Sequence, residues 1–430
     1  MTAPSAYDLT PLAGLLLVGL ALALGPVLWV QWRQGGAAAQ RLQALRILTL
    51  WLTFDLILFG AFTRLTDSGL GCPDWPGCYG NTSPVGAGQA ISLAQTAMPT
   101  GPVTHAKAWI EMLHRYLATG VGALIVLMTM TAWRVSRVTV WAVERSAQVK
   151  EEPTQRVGDT EQSAQPPRLL AATSTTSFAV RPLSRWWPTL TLVWVCVQGA
   201  FGALTVTWKL FPAIVTLHLA GALVLLALLC VQVVRGGADF SHASLPAAVH
   251  RAIVVSFGLL SVQILLGGWV STNYAVLACS DFPQCQNRWW PDMNFVQGFE
   301  LWRQLGLTSG GEPISFAALT AIHYVHRLVA SVVLAALAVL AWQLNRLLAW
   351  RQASRILATL VGLQLATGLS NVVLGWPMLA ALLHTGGSAA LVLVMTWLLT
   401  RASVPIAATV ASTNEQPLAN SDLVNQRSLV

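Results

Sequence analysis

Nine apolar runs, each long enough to cross about 30 Å of hydrocarbon, restrict this chain more than any other feature. They fall near 11–31, 45–65, 108–134, 186–208, 213–235, 248–272, 318–345, 353–374 and 378–401. A backbone in hydrocarbon must satisfy its own N–H and C=O groups, so each run is expected to be a helix. Only 10% of the residues are charged and 55% are hydrophobic, against about 25% charged in a soluble domain. Most of the surface must therefore face lipid. The predicted fold class is all-α: a polytopic membrane protein.

The formal net charge of +8 comes from Lys and Arg in short loops, which is a pattern of membrane orientation and not of a nucleic-acid patch. Arg33, Arg41 and Arg46 precede the second run, and eight basic residues lie between Arg134 and Arg185. Arg235 with Arg251, then Arg346, Arg351 and Arg355, then Arg401 mark further loops on the same side. The positive-inside rule makes that side cytoplasmic and turns the long loops 66–107 and 273–317 outward. Trp residues such as Trp29, Trp32, Trp186, Trp187 and Trp350 stand near run ends, as in interfacial belts. The stretch before Arg33 holds Asp8 and no basic residue, unlike an Arg-rich transit peptide, so the first run reads as a retained helix in a bacterial plasma membrane. Polar stretches at 151–167 and after about 403 hold too little apolar surface to order themselves.

The chain repeats itself. Gly60, Cys72, Asp74, Pro76 and Cys78 recur as Gly267, Cys279, Asp281, Pro283 and Cys285, offset by 207. His114-Arg115 recurs as His326-Arg327 at 212, and Gln198, Gly202 and His218 recur as Gln364, Gly368 and His384 at 166. Each unit holds four runs, an even number, so both enter the membrane from one side as parallel repeats. The expected organisation is an extra N-terminal helix with its loop (1–44), a first four-helix half (45–235, with linker 135–185), a second half (236–402) and a tail (403–430). The eight-helix core is thus two parallel four-helix bundle repeats.

Ionisable groups at membrane depth are costly and point to function. Of eight histidines, His242 and His250 belong to a loop and His105 to an outer loop; His114, His218, His323, His326 and His384 lie within spans. His114, His218, His326 and His384 form the repeated set, each about 8–12 Å below the outer surface at 1.5 Å per residue. Two histidines on facing helices at matched depth suit the two axial positions of a haem iron. The bland alternative is a hydrogen bond from each to a neighbouring helix. Arg115 and Arg327 suit haem propionates, or snorkel toward headgroups. Glu111 precedes His114 by three residues and shares its helical face, whereas the matching position in the second half is His323. Glu111 is thus either an acid/base present in one half only or a first-turn carboxylate favoured by the helix dipole. This asymmetry suggests one haem being transformed and another passing electrons. Cys72, Cys78, Cys279 and Cys285 lie on the oxidising side, where disulfides are expected; a four-Cys zinc site favours closer spacing. Cys196 and Cys230 read as small hydrophobes.

The segments from Gly60 through Leu70 with Cys72-Pro73-Asp74-Trp75-Pro76, Glu111-Met112-Leu113-His114-Arg115, Val215-Thr216-Leu217-His218, Gly267 through Asn273, His326-Arg327 and Leu383-His384-Thr385 together resemble the haem A synthase family over roughly residues 45–401. That resemblance implies an eight-helix membrane oxidoreductase that converts the ring methyl of haem O to the formyl group of haem A for cytochrome oxidase. It implies substrate haem on His114 and His218, Glu111 as catalytic carboxylate, haem b on His326 and His384, and disulfides Cys72–Cys78 and Cys279–Cys285. Membrane lipid, haem O, haem O synthase, oxidase assembly factors and a second copy of the chain are the partners to consider. The N-terminal helix, the central linker and His323 depart from the family pattern. The rival readings are a non-catalytic di-haem b electron-transfer protein linked to quinol, and a transporter.

Overall fold

The computed structural model describes residues 10–33, 38–150, 184–237 and 240–403. The two segments expected to lack order, within 151–167 and beyond 403, lie outside these residues. The described chain is almost entirely helical. In order come α1 (Thr10–Arg33), α2 (Ala38–Leu65), α3 (Gly88–Ala97), α4 (His105–Lys150), α5 (Trp186–Thr207) and α6 (Pro212–Gly236). Then follow α7 (Ala247–Thr272), α8 (Phe295–Gly298), α9 (Phe316–Asn345), α10 (Arg351–Val373) and α11 (Met378–Arg401). Among the described residues nine helices are long and apolar enough to cross a membrane, matching the nine runs one for one. Two bounds differ from expectation. α2 begins at Ala38 rather than near 45, and α4 runs on to Lys150 rather than stopping near 134. Polar residues outside hydrocarbon can continue a helix whose apolar part has ended, so hydropathy locates the span and not the helix end.

The spans pack as two four-membered rings. In the first, α2 packs on α4, α4 on α5, α5 on α6 and α6 back on α2; in the second, α7, α9, α10 and α11 close in the same order. Helices α6 and α11 pack together where the rings meet. At one end the rings touch through residues that are each other's counterparts under the offset of 207. Arg64 donates to the carbonyl of Ser271 at 2.5 Å and lies 4.0 Å over the Tyr274 ring, whose hydroxyl donates to Asp67 at 2.6 Å. A residue that meets its own counterpart sits beside the rotation axis, so a pseudo-two-fold runs through this contact, parallel to the spans.

Apolar side chains fill each ring toward the end that carries the basic loops. Leu124, Ile125, Met128, Leu225 and Leu229 do so in the first ring, and Leu337, Leu340, Leu357, Met395 and Leu398 in the second. In lipid such packing acts through van der Waals contact and not through release of water. The loop arginines of this end stack on interfacial Trp rings: Arg346 on Trp342 at 3.9 Å, Arg235 on Trp187 at 5.2 Å and Arg401 on Trp397 at 5.6 Å. Helix α1 lies outside both rings against α4 and α2. A Cβ at Gly19 would run into Thr119, so the glycine is what lets the two backbones approach. Replacing Arg64 by Ala removes one charge-assisted hydrogen bond and one cation–π contact between the halves. We expect a stability loss of about 1–3 kcal/mol, read as a lower thermal unfolding midpoint in detergent, with haem content retained.

Candidate functional site

With the basic ends filled, the opposite end of each ring is left for histidine. His114 on α4 and His218 on α6 come from one diagonal of the first ring; Gly60 on α2 and Gly202 on α5 come from the other. The second ring repeats this with His326 and His384 on α9 and α11, and Gly267 and Gly368 on α7 and α10. Each glycine faces one imidazole. A Cβ at Gly60 would stand 3.1 Å from Cε1 of His114, and at Gly202 3.4 Å from Cε1 of His218. At Gly267 it would stand 3.1 Å from Cε1 of His326, and at Gly368 3.3 Å from Cε1 of His384. The glycines therefore keep the space beside each ring open. All four imidazoles are half-buried. Phe59 stacks on His114 with centroids 6.2 Å apart.

The donor set fits haem. Among the described residues no three of His, Cys, Asp and Glu gather into a metal cage. Two imidazoles per ring suit a metal whose remaining ligands come from a macrocycle. The Nδ1 atoms of His114 and His218 are buried without a protein hydrogen-bond partner, so the bland reading, a bond to a neighbouring helix, fails for these two.

The cysteine loops close the same end. Cys72 is bonded to Cys78 and Cys279 to Cys285, which removes the four-Cys zinc alternative. All four sulfurs belong to residues with no solvent exposure. In each loop an Asp caps the turn. Asp74 accepts from the N–H groups of Tyr79 and Gly80 at 2.6 and 2.8 Å, and Asp281 from those of Gln286 and Asn287 at 2.7 and 2.9 Å. Burial pushes the Asp281 carboxyl up, but the Asn287 and Gln286 N–H groups outweigh it and hold it below the usual carboxylate range.

The arginines beside the histidines bind these loops. Arg115 donates to the carbonyls of Asp74, Pro76, Gly77 and Cys72, and Arg327 to those of Cys279, Asp281 and Gln284. In both halves guanidinium N–H groups thus engage loop carbonyls beside the ring.

Glu111 joins ligand helix and loop. One carboxylate oxygen accepts from the Cys72 N–H at 2.7 Å, and the other pairs with Arg115 at 2.5 Å. Glu111 is 4% exposed and Arg115 8%. The carboxylate is thus an enclosed member of a polar cluster, not a solvated first-turn group. His323 takes the same place in the second half, its Nδ1 accepting from the Cys279 N–H at 3.3 Å. With His323 held by its loop and His326 facing Gly267, it is His326 that occupies the position matching His114. His105 meets Ser92 at 2.9 Å and His242 packs on Phe240, both away from the rings. Cys230 is buried and Cys196 exposed, as apolar-run cysteines can be.

Residues 43–396 match the family COX15-CtaA, described as cytochrome oxidase assembly protein. The chain belongs to this family. It is similar to a protein of Shewanella oneidensis named heme A synthase, 33% identical over 350 residues that make up 81% of this chain and 92% of that one. It is also similar to one of the same name in Halalkalibacterium halodurans, 23% identical over 340 residues, 76% of this chain and 86% of the other. The match begins at residue 43, past α1, so the first helix lies outside the family region as the repeat implies.

Substitutions at the glycines and at Glu111 test this geometry. Gly60→Val or Gly267→Val drives a branched side chain into the facing imidazole, and each is expected to lower haem occupancy in its own half only, measured by pyridine haemochrome content. Glu111→Ala leaves Arg115 buried without its carboxylate. A loss of about 3–5 kcal/mol is expected, against a smaller loss for Glu111→Gln, which still accepts the Cys72 N–H; thermal melts of the two variants make the comparison.

Proposed function

We propose that this protein is a haem A synthase: it takes haem O as substrate between His114 and His218 and oxidises one ring methyl to a formyl group, giving haem A for cytochrome oxidase. The observation that carries this reading is the break in the repeat. Two rings share His, Gly, Arg and Cys position by position, yet one places a carboxylate, Glu111, where the other places His323. A pair of identical electron-transfer sites gives no reason for that difference. The first half is the substrate half and the second holds the resident cofactor on His326 and His384. A b-type haem held there supplies reversible one-electron transfer.

In the first ring His114 and His218 fix the substrate through its iron, which orients the macrocycle and brings its edge to a defined place. Glu111, tied to the Cys72 N–H and to Arg115, gives and takes protons as the methyl is hydroxylated twice, each hydroxylation drawing on a two-electron oxidant supplied from outside the chain, and the resulting geminal diol loses water. Arg115 and Arg327 hold the cysteine loops down over the two rings. The basic loops face the cytoplasm and the disulfide loops the outer side of a bacterial plasma membrane. Haem O synthase and oxidase assembly factors are the partners we assign to delivery of substrate and acceptance of product.

The test uses a host lacking its own haem A synthase. With the wild-type chain, haem A forms. With Glu111→Gln, haem A is expected to fall by about 10²-fold or more while haem O accumulates and the protein keeps its b-type spectrum. Unchanged haem A would overturn the role of Glu111, and no haem A with the wild-type chain would overturn the function. His326→Ala is expected to lose the b-type haem of the purified protein, and His114→Ala to keep it.

A further inference from the structure

The histidines of the two halves differ in what touches their Nδ1 atoms. His384 Nδ1 lies 3.0 Å from Thr367 Oγ1, and that hydroxyl sits 2.7 Å from the carbonyl of Leu363. The hydroxyl has a single proton, and the short bond to Leu363 takes it. With that proton on Leu363, Thr367 accepts at His384, an arrangement in which Nδ1 carries the imidazole proton and the lone pair lies on Nε2. On α9, the amide nitrogen of Gln263 lies 3.0 Å from His326 Nδ1 and 3.4 Å from its Nε2 and donates to the His326 carbonyl at 3.1 Å, while the Gln263 Oε1 is buried without a partner. A turn of that amide would offer Oε1 to an Nδ1 proton. Under the offsets of the repeat, Thr367 corresponds to Phe201 and Gln263 to Leu56, neither of which can accept a hydrogen bond. In keeping with this, His114 and His218 have no protein partner at Nδ1.

We infer that Thr367, with Gln263, is a positioning residue that fixes the second-half imidazoles for a haem that stays, whereas Phe201 and Leu56 leave the first-half imidazoles untethered for a haem that must enter and leave. The inference rests on the reading that each half ligates haem. A hydrogen-bonded ligand histidine is fixed in tautomer and orientation and is a stronger base, and loss of such a partner costs roughly 10–100-fold in metal affinity. A substrate site gains nothing from that hold, since tight retention of product would limit turnover. A stronger imidazole donor also favours ferric over ferrous iron, so the tether sets the potential of the resident haem.

The experiment compares purified wild-type protein with Thr367→Val, Thr367→Ser and the gain-of-tether variant Phe201→Thr. Haem transfer to apomyoglobin and the midpoint potential of the b-type haem are the readouts. Thr367→Val, which keeps the shape and loses the acceptor, is expected to release the resident haem on the order of tenfold faster and to shift its potential upward. Thr367→Ser is expected to restore both. Phe201→Thr is expected to slow release from the first half. Wild-type values for both release rate and potential in Thr367→Val would overturn the inference while leaving haem ligation intact. A wild-type protein with no b-type haem, or one that keeps it in His384→Ala, would instead overturn the reading beneath it. Equal destabilisation of Val and Ser variants, with unchanged potential, would reduce Thr367 to a packing role and likewise overturn the inference.

Discussion

Each imidazole in this protein stands opposite a glycine. That pairing needs four helices at once: two on one diagonal to bring histidines to a common depth, and two on the other to present backbone without a side chain. The rest of the architecture serves it. The two larger apolar clusters fill the basic end of each ring, and smaller ones lie under the cysteine loops at the other end. The cysteine loops cover that end, fixed by Arg115 and Arg327 through loop carbonyls. A change of one methyl group at Gly60 or Gly267 would press on an imidazole already at van der Waals limits. The ring geometry thus has little tolerance where it matters and ample tolerance where α1 packs outside it.

The polar cluster of the first half extends this constraint to chemistry. Glu111 is three residues from His114 and bonded to the backbone of a disulfide-closed loop, so its carboxylate cannot wander. A buried ion pair such as Glu111–Arg115 is weak support for stability, since desolvation offsets much of its attraction. Its value lies in placement: Arg115 fixes the carboxylate and the loop with one guanidinium. The second half keeps the loop and the arginine and replaces the carboxylate by His323, which preserves the bond to the cysteine N–H and removes a second acidic group from the membrane.

Much of this was legible in the sequence, because lipid simplifies the problem. Runs of apolar residues give the spans, and three constant offsets give the repeat and its four histidines. Other features needed three dimensions. Gly60 and Gly202 stand out as repeated residues, but which helix each faces depends on the order in which the ring closes. The loop contacts of Arg115 do not follow from its adjacency to His114, although the i, i+4 spacing from Glu111 points to an ion pair. Helix α3 sits in an outer loop where its ten residues are too short and too weakly patterned to separate from their surroundings. Thr367 and Gln263 are visible only as places where the repeat fails, at Phe201 and Leu56, and such failures gain meaning once their neighbours are known.

The contact beside the two-fold axis carries a consequence for how such a chain can arise. Residues there meet their own counterparts, Arg64 with Ser271 and Asp67 with Tyr274. In an assembly of two identical four-helix units the same positions would oppose arginine to arginine and aspartate to aspartate, and both juxtapositions repel. Complementarity at a symmetry axis is open only to unlike partners. Joining the units into one polypeptide lifts that restriction, because each copy can then drift by itself. The seam between the halves has used that freedom, as have Glu111 and His323, so the difference between the two rings and a firmer join between them are both open to a covalently linked pair.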